Sequence, residues 1–181
     1  SDFTRQGTVT LQSSQDIPHT TIIDPGGGFL VVGTYTTNGY VVKVPFSQFE
    51  KITSLSLNAG ENTVYSAVID TVNGFAYFGM STTPLGIVVK VRLSDFTRVG
   101  AITLPSGEND LRSAVIDVPN GFAYFGARRT NGKIMKIDIN PANVFQEVAV
   151  IDTSSLSAGL YNSAVIDTTR GFAYFGTDQT P

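Results

Sequence analysis

His19 is the chain's one histidine, and no cysteine accompanies it. Thiolate nucleophiles, disulfides and cysteine metal sites are therefore excluded. A lone histidine has no second imidazole for a metal, and no serine at motif spacing that it could activate. His19 reads as a surface or packing residue on that ground. The remaining reactive groups are carboxylates. Asp24, Asp70, Asp117 and Asp167 recur at steps of 46, 47 and 50 residues. They could line a channel mouth and hold calcium, which needs six to eight oxygens around one point. Each is followed four residues later by glycine (Gly28, Gly74, Gly121, Gly171), a pattern that reads sooner as a turn cap. Glu61 and Glu108 recur as Gly-Glu-Asn and could serve as the acid and base of a glycosidase. The next such loop, 155–162, has no carboxylate, so solvated loop residues are the favoured reading. No catalytic, cofactor or metal site is predicted.

Binding chemistry has more to draw on. Tyr35, Tyr40, Tyr65 and Tyr161 lie in or beside loops, where tyrosines stack on sugar rings and anchor interfaces. Arg128, Arg129 and Lys133 form a small basic loop suited to an acidic sugar or a partner, or simply to water. Thr36, Thr37, Thr82, Thr83 and Thr180 sit in threonine-rich loops, mostly with proline nearby. That composition suits O-glycosylation and plain turns equally.

Elements must position these residues, and the elements repeat. Each aspartate ends an apolar run: Thr20-Thr21-Ile22-Ile23, Ser66-Ala67-Val68-Ile69, Ser113-Ala114-Val115-Ile116 and Ser163-Ala164-Val165-Ile166. After the turn comes Phe29-Leu30-Val31-Val32-Gly33, Phe75-Ala76-Tyr77-Phe78-Gly79, Phe122-Ala123-Tyr124-Phe125-Gly126 or Phe172-Ala173-Tyr174-Phe175-Gly176. A fixed period in this range marks a repeat architecture. Residues 87–93 close the second unit as a strand that admits basic side chains, and 97–104, at the start of the next unit, are the most polar strand. The gradient runs from a dry inner strand to a wet outer one, as in propeller blades. Phe75 and Tyr77 should face one neighbouring sheet, and Ala76 and Phe78 the other.

The Asp-x-x-x-Gly turn, the Phe-Ala-Tyr-Phe-Gly strand, Gly86-Ile87-Val88-Val89-Lys90-Val91 and Thr97-Arg98-Val99-Gly100-Ala101-Ile102-Thr103-Leu104 together resemble YVTN/NHL-like β-propeller repeats of the WD40-like group. The resemblance covers nearly the whole chain. It implies an all-β fold of four-stranded antiparallel blades of about 47 residues, about four of them here. It implies little about activity, because such propellers serve as scaffolds, lectins and enzymes. The Trp-Asp pair of true WD40 blades is absent, since the chain has no tryptophan.

Ser1-Asp2-Phe3-Thr4-Arg5 matches Ser94-Asp95-Phe96-Thr97-Arg98, so the chain opens on an outer strand. Cut there, the units run 1–46, 47–93, 94–139 and 140–181, the last incomplete. A window from a longer repetitive chain is expected, with a four-bladed ring of defective closure as the alternative.

Among 181 residues, 41% are apolar and 15% charged, and the net charge is −3. That is enough apolar material for a core, and it gives no electrostatic reason to bind nucleic acid. No apolar run approaches the ~20 residues of a membrane helix. The expectation is a non-enzymatic structural or adhesive module of a secreted or cell-surface repeat protein, such as a filament or sheath subunit. The expected partners are further copies, other proteins or glycans. The alternatives are a lectin-like propeller and a fragment of a propeller lyase or hydrolase.

Overall fold

The computed structural model describes residues 4–5, 7–15, 17–50, 52–129, 132–156 and 159–178. Among them stand fourteen strands and two short 3-10 turns, at Ser13–Gln15 and Ser154–Leu156, with no α-helix. Three sheets have four strands each. The first holds β1 (Pro18–Asp24), β2 (Phe29–Thr34), β3 (Tyr40–Pro45) and β4 (Thr53–Ser56). The second holds β5 (Val64–Asp70), β6 (Phe75–Met80), β7 (Leu85–Arg92) and β8 (Thr97–Ser106). The third holds β9 (Leu111–Asp117), β10 (Phe122–Ala127), β11 (Lys133–Asp138) and β12 (Gln146–Asp152). A two-stranded sheet follows, β13 (Tyr161–Asp167) with β14 (Phe172–Thr177). Every pairing is antiparallel, and within each sheet sequence neighbours are spatial neighbours. These are the blades of a β-propeller. The sheets run 18–56, 64–106, 111–152 and 161–177, so the repeat cuts at 46/47, 93/94 and 139/140 fall between third and fourth strands.

The turns explain the aspartates. Gly28, Gly74 and Gly171 take φ of 71–76°, and each donates its N–H to the carbonyl of the aspartate four residues before it, at 2.9 Å. The aspartate carboxylates cap the same turns. Asp70 accepts from the Val72 and Asn73 amides and from Asn73 Nδ2; Asp167 accepts from the Arg170 amide. Asp24, Asp70 and Asp117 are buried in this work.

Packing follows the alternation along each aromatic strand. Ala76 and Phe78 join Phe29, Val31 and Val41 in the core between the first two sheets. Tyr77, with Phe75 packed beside it, faces Leu111, Phe125, Met135 and Ile137 in the next core. Tyr77, Phe78 and Phe125 are fully buried, and each such side chain contributes roughly 2–3 kcal/mol of transfer free energy. The glycine near the end of each of the first three aromatic strands sets how closely blades approach. A Cβ on Gly79 would lie 2.9 Å from the Leu111 Cβ of the next inner strand, and one on Gly126 would lie 2.8 Å from the Tyr161 Cβ. Each third strand also sends a lysine over the aromatic strand. Lys43 lies 3.9 Å above Phe29, Lys90 4.0 Å above Phe75 and Lys136 3.6 Å above Phe122.

The inner strands β1, β5, β9 and β13 stand side by side. Together they border an apolar cavity of about 560 Å³, to which Ile22, Val68, Val115 and Val165 contribute. This is the axial side of the blades, where the central channel of a propeller lies.

Candidate functional site at the channel mouth

Each inner strand starts with an irregularity of register. The pairing skips a residue between Pro18 and Thr20, Val64 and Ser66, Leu111 and Ser113, and Tyr161 and Ser163. The residues left unpaired are His19, Tyr65, Arg112 and Asn162. A β-bulge re-aims the side chain it carries, and bulges gather near active sites. Two residues upstream a non-glycine residue takes positive φ in every blade: Ile17 at 59°, Thr63 at 55°, Asp110 at 58° and Leu160 at 53°. Left-handed backbone is strained for β-branched residues such as Ile17 and Thr63. One strained, bulged device therefore recurs four times at the end of the channel opposite the aspartate turns.

Three of the four bulge residues meet. The His19 and Tyr65 rings lie 3.8 Å apart between centroids, and Tyr35 joins them at 5.8 Å from Tyr65. The Arg112 guanidinium also lies over the Tyr65 ring, 4.0 Å from its centroid. Arg112 Nε donates to Asp110 Oδ1 at 2.9 Å, and Ser81 Oγ donates to the same oxygen. Asn162 Nδ2 donates to Asp178 Oδ2 at 2.8 Å, an oxygen that also receives Arg128 Nη2 at 3.1 Å. Partial burial, and after it the Arg112 charge, hold the His19 imidazole below its ordinary pKa, while a hydrogen bond with the Tyr65 backbone opposes them. A neutral imidazole at neutral pH can accept a proton.

Beside this row opens a groove of about 820 Å³ bounded by the loops of the first two blades. Tyr35, Tyr40, Thr36, Thr37, Thr82 and Thr83 all line it. Six residues that the sequence offered separately, as aromatic contacts or modification sites, thus surround one space. The Thr36 hydroxyl donates to the Asn38 carbonyl and that of Thr82 to the Leu85 carbonyl. Thr180 lies outside the described residues.

Other expectations are corrected. Tyr161 is not a binding tyrosine. It is 3% exposed, sits against Gly126 and Phe175, and shares a 2.6 Å hydrogen bond with Thr153 Oγ1. It occupies the seam position of Val64 and Leu111, while Asn162 beside it takes the bulge. Arg128 and Arg129 form no free basic patch: Arg128 meets Asp178, and Arg129 Nε donates to Asn109 Oδ1 at 3.0 Å. Glu61 and Glu108 are buried rather than solvated, each 4% exposed. Arg98 grips Glu61, and Lys133 Nζ reaches Glu108 Oε1 at 2.8 Å. No cluster of three or more metal-ligating side chains occurs among the described residues. Sequence reading missed Arg112, Asp110 and Asp178. The available signal was that one aligned position holds His, Tyr, Arg and Asn while its surroundings repeat.

No protein-family model matches the chain, and no curated protein matches it. Solved structures do. A Bacteroides fragilis protein provisionally described as a 6-phosphogluconolactonase superposes with a TM-score of 0.66 at 13% identity, covering 94% of this chain and 51% of its own. Hydrazine synthase of Kuenenia stuttgartiensis gives 0.66 at 12%, covering 88% and 55%. A chain of the nidogen/laminin complex gives 0.57 at 11%, covering 82% and 52%. The chain thus spans about half the length of these structures. Propeller-like proteins are what it resembles, and at these identities the likeness establishes the fold. The expectation of a structural or adhesive module is overturned on this comparison. The two superpositions of highest TM-score among these carry enzyme names.

Proposed function

We propose that these blades form part of a propeller enzyme of the hydrolase or lyase class, with substrate held over the bulge row at the channel mouth. The observation that carries this is the row itself. Four equivalent strained bulges present four different polar or aromatic side chains, and three of them, His19, Tyr65 and Arg112, lie in contact. A purely architectural position would be expected to repeat its residue as Gly79 and Gly126 do.

In a hydrolytic reaction, neutral His19 takes a proton from water as the water oxygen bonds to an ester or lactone carbonyl carbon. Arg112, steadied by Asp110, faces the negative charge that develops on the carbonyl oxygen. Collapse of the intermediate breaks the carbon–oxygen bond of the leaving alcohol, and His19 returns the proton to that alcohol. Kinship with YVTN/NHL-like propellers belongs to the same proposal and rests on the repeat motifs alone.

The test is turnover of a panel of esters, lactones and glycosides by the wild type, His19→Gln and Arg112→Met. Hydrolysis lost by about 10²-fold or more in His19→Gln, with unchanged circular dichroism, supports the reading. Activity that survives both substitutions, or no turnover of any panel member, overturns it.

A further inference from the structure

We infer that the groove between the first two blades is a binding site for a neutral, polyhydroxylated ligand, a short oligosaccharide in chemical class. This deepens the mouth-site reading, since the groove opens beside His19: the His19 and Tyr35 rings lie 6.0 Å apart. Four observations carry it.

The groove's size of about 820 Å³ lies in the range of small-molecule sites. Its lining is dominated by hydroxyls and side-chain amides. Among the described residues it carries no charged side chain. Hydroxyls and amides both donate and accept, which suits a ligand whose every group is itself an alcohol.

Several of these groups are unspent. Thr37 and Thr83 are exposed, and the hydroxyls of both and the amide of Asn62 have no protein partner among the described residues. Thr36 and Thr82, whose hydroxyls are engaged with the backbone, fix the two loops that present them.

An exposed aromatic platform borders the space. Tyr35 is 45% exposed, and its ring is backed by Tyr65 at 5.8 Å with an interplanar angle of 78°. An amphipathic ring held from behind offers its free face to the C–H face of a sugar and keeps its hydroxyl for hydrogen bonding.

No cation stands among the groove's described lining residues, and Arg112, which lies over Tyr65, is paired with Asp110. Among the described residues the groove therefore offers no unopposed positive charge, which favours a neutral ligand over a phosphorylated or carboxylated one.

Isothermal titration of the 181-residue protein tests this with cellotriose and maltotriose as neutral probes and trigalacturonate as the charged one. The expectation is saturable binding of a neutral trisaccharide, weakened about tenfold by Tyr35→Ala and several-fold by Thr37→Val with Thr83→Val. Binding should persist in His19→Gln, so a lost reaction and a lost ligand site are told apart. Equal or tighter binding of trigalacturonate, unchanged binding in Tyr35→Ala, or no neutral binding on the order of 10 mM overturns the inference. Because Tyr35 and Thr37 lie on the surface, Tyr35→Phe serves as the folded control. It keeps the ring and should retain most of the affinity.

Discussion

Arg98 holds Glu61 with two nitrogens, Nε at 2.9 Å from Oε2 and Nη2 at 2.5 Å from Oε1. In the next blade Glu108 fills the slot of Glu61, but the position of Arg98 is taken by Glu147. The register shows the equivalence, since Val91 pairs with Arg98 and Ile137 with Glu147. Two carboxyls then face one another with Lys133 alone to offset them. Glu108 Oε2 and Glu147 Oε1 are buried and find no donor, the arrangement expected of two acids sharing a proton.

Burial, and then the Glu108 charge, push the Glu147 carboxyl up to about 7 from its ordinary 4.5. Between those values the folded protein holds a proton that the unfolded chain has released. Stability should therefore fall as pH rises from about 4.5 to about 7 and level off above, the reverse of the usual carboxylate. Glu147→Gln should remove this falling limb. Glu147→Arg, which rebuilds the pair of the preceding blade, should add about 1–2 kcal/mol at pH 8. Urea titrations at several pH values check both. A falling limb that persists in Glu147→Gln would place the titrating group elsewhere.

Gly126 tests the blade seam. An added Cβ would meet Tyr161 and Phe175, so Gly126→Ala should cost roughly 1–3 kcal/mol through overpacking. Gly100, on the outer strand β8, faces open space. Gly100→Ala should be neutral or slightly stabilising. Thermal unfolding of the two variants side by side separates the seam from the general effect of removing a glycine.

Tyr77 and Tyr174 hold the same place in their repeats and live in different surroundings. Tyr77 is 0% exposed, whereas Tyr174 is 58% exposed, with Phe172 and Val165 open beside it. Tyr77→Ala should cost about 3–5 kcal/mol by opening a cavity in the second core. Tyr174→Ala should cost about 1 kcal/mol or less in this 181-residue chain. Equal losses in urea unfolding would mean that the last sheet's outer face is covered in solution.

Much of the fold was legible because it is written in local chemistry. Asp70 and Gly74 announce a turn by their types and spacing. Alternation along Phe75-Ala76-Tyr77-Phe78 assigns each side chain to a blade face, and both cores bear that assignment out. The site was less legible because it depends on partners distant in sequence. Glu61 reads as a solvated loop residue until Arg98, 37 residues on, is seen to fold back over it. Tyr65 and Tyr161 look alike in sequence, and a one-residue difference relative to the bulge puts one at the mouth and the other in a seam. The bulge is a property of two paired strands, so neither strand's sequence displays it alone. His19 seemed isolated for the same reason: Tyr65 and Arg112 come to it from the next two blades.

The His19–Tyr65–Arg112 stack makes a prediction that needs no substrate. Burial and the Arg112 charge lower the histidine's affinity for a proton. The His19 imidazole resonances, the chain's only ones, should titrate below the midpoint of a free histidine in nuclear magnetic resonance spectra. Arg112→Gln removes the repelling charge and should move that midpoint upward. Tyr65→Ala opens the ring's surroundings to water and should move it upward as well. Charging His19 in the intact row places a second cation against Tyr65 near Arg112. Folded stability from this residue is therefore present at neutral pH and lost as pH falls through the range between its ordinary and lowered values. A midpoint that stays at its wild-type value in both variants would mean that His19 and Arg112 do not meet at Tyr65 in solution, and the mouth site would lose its base.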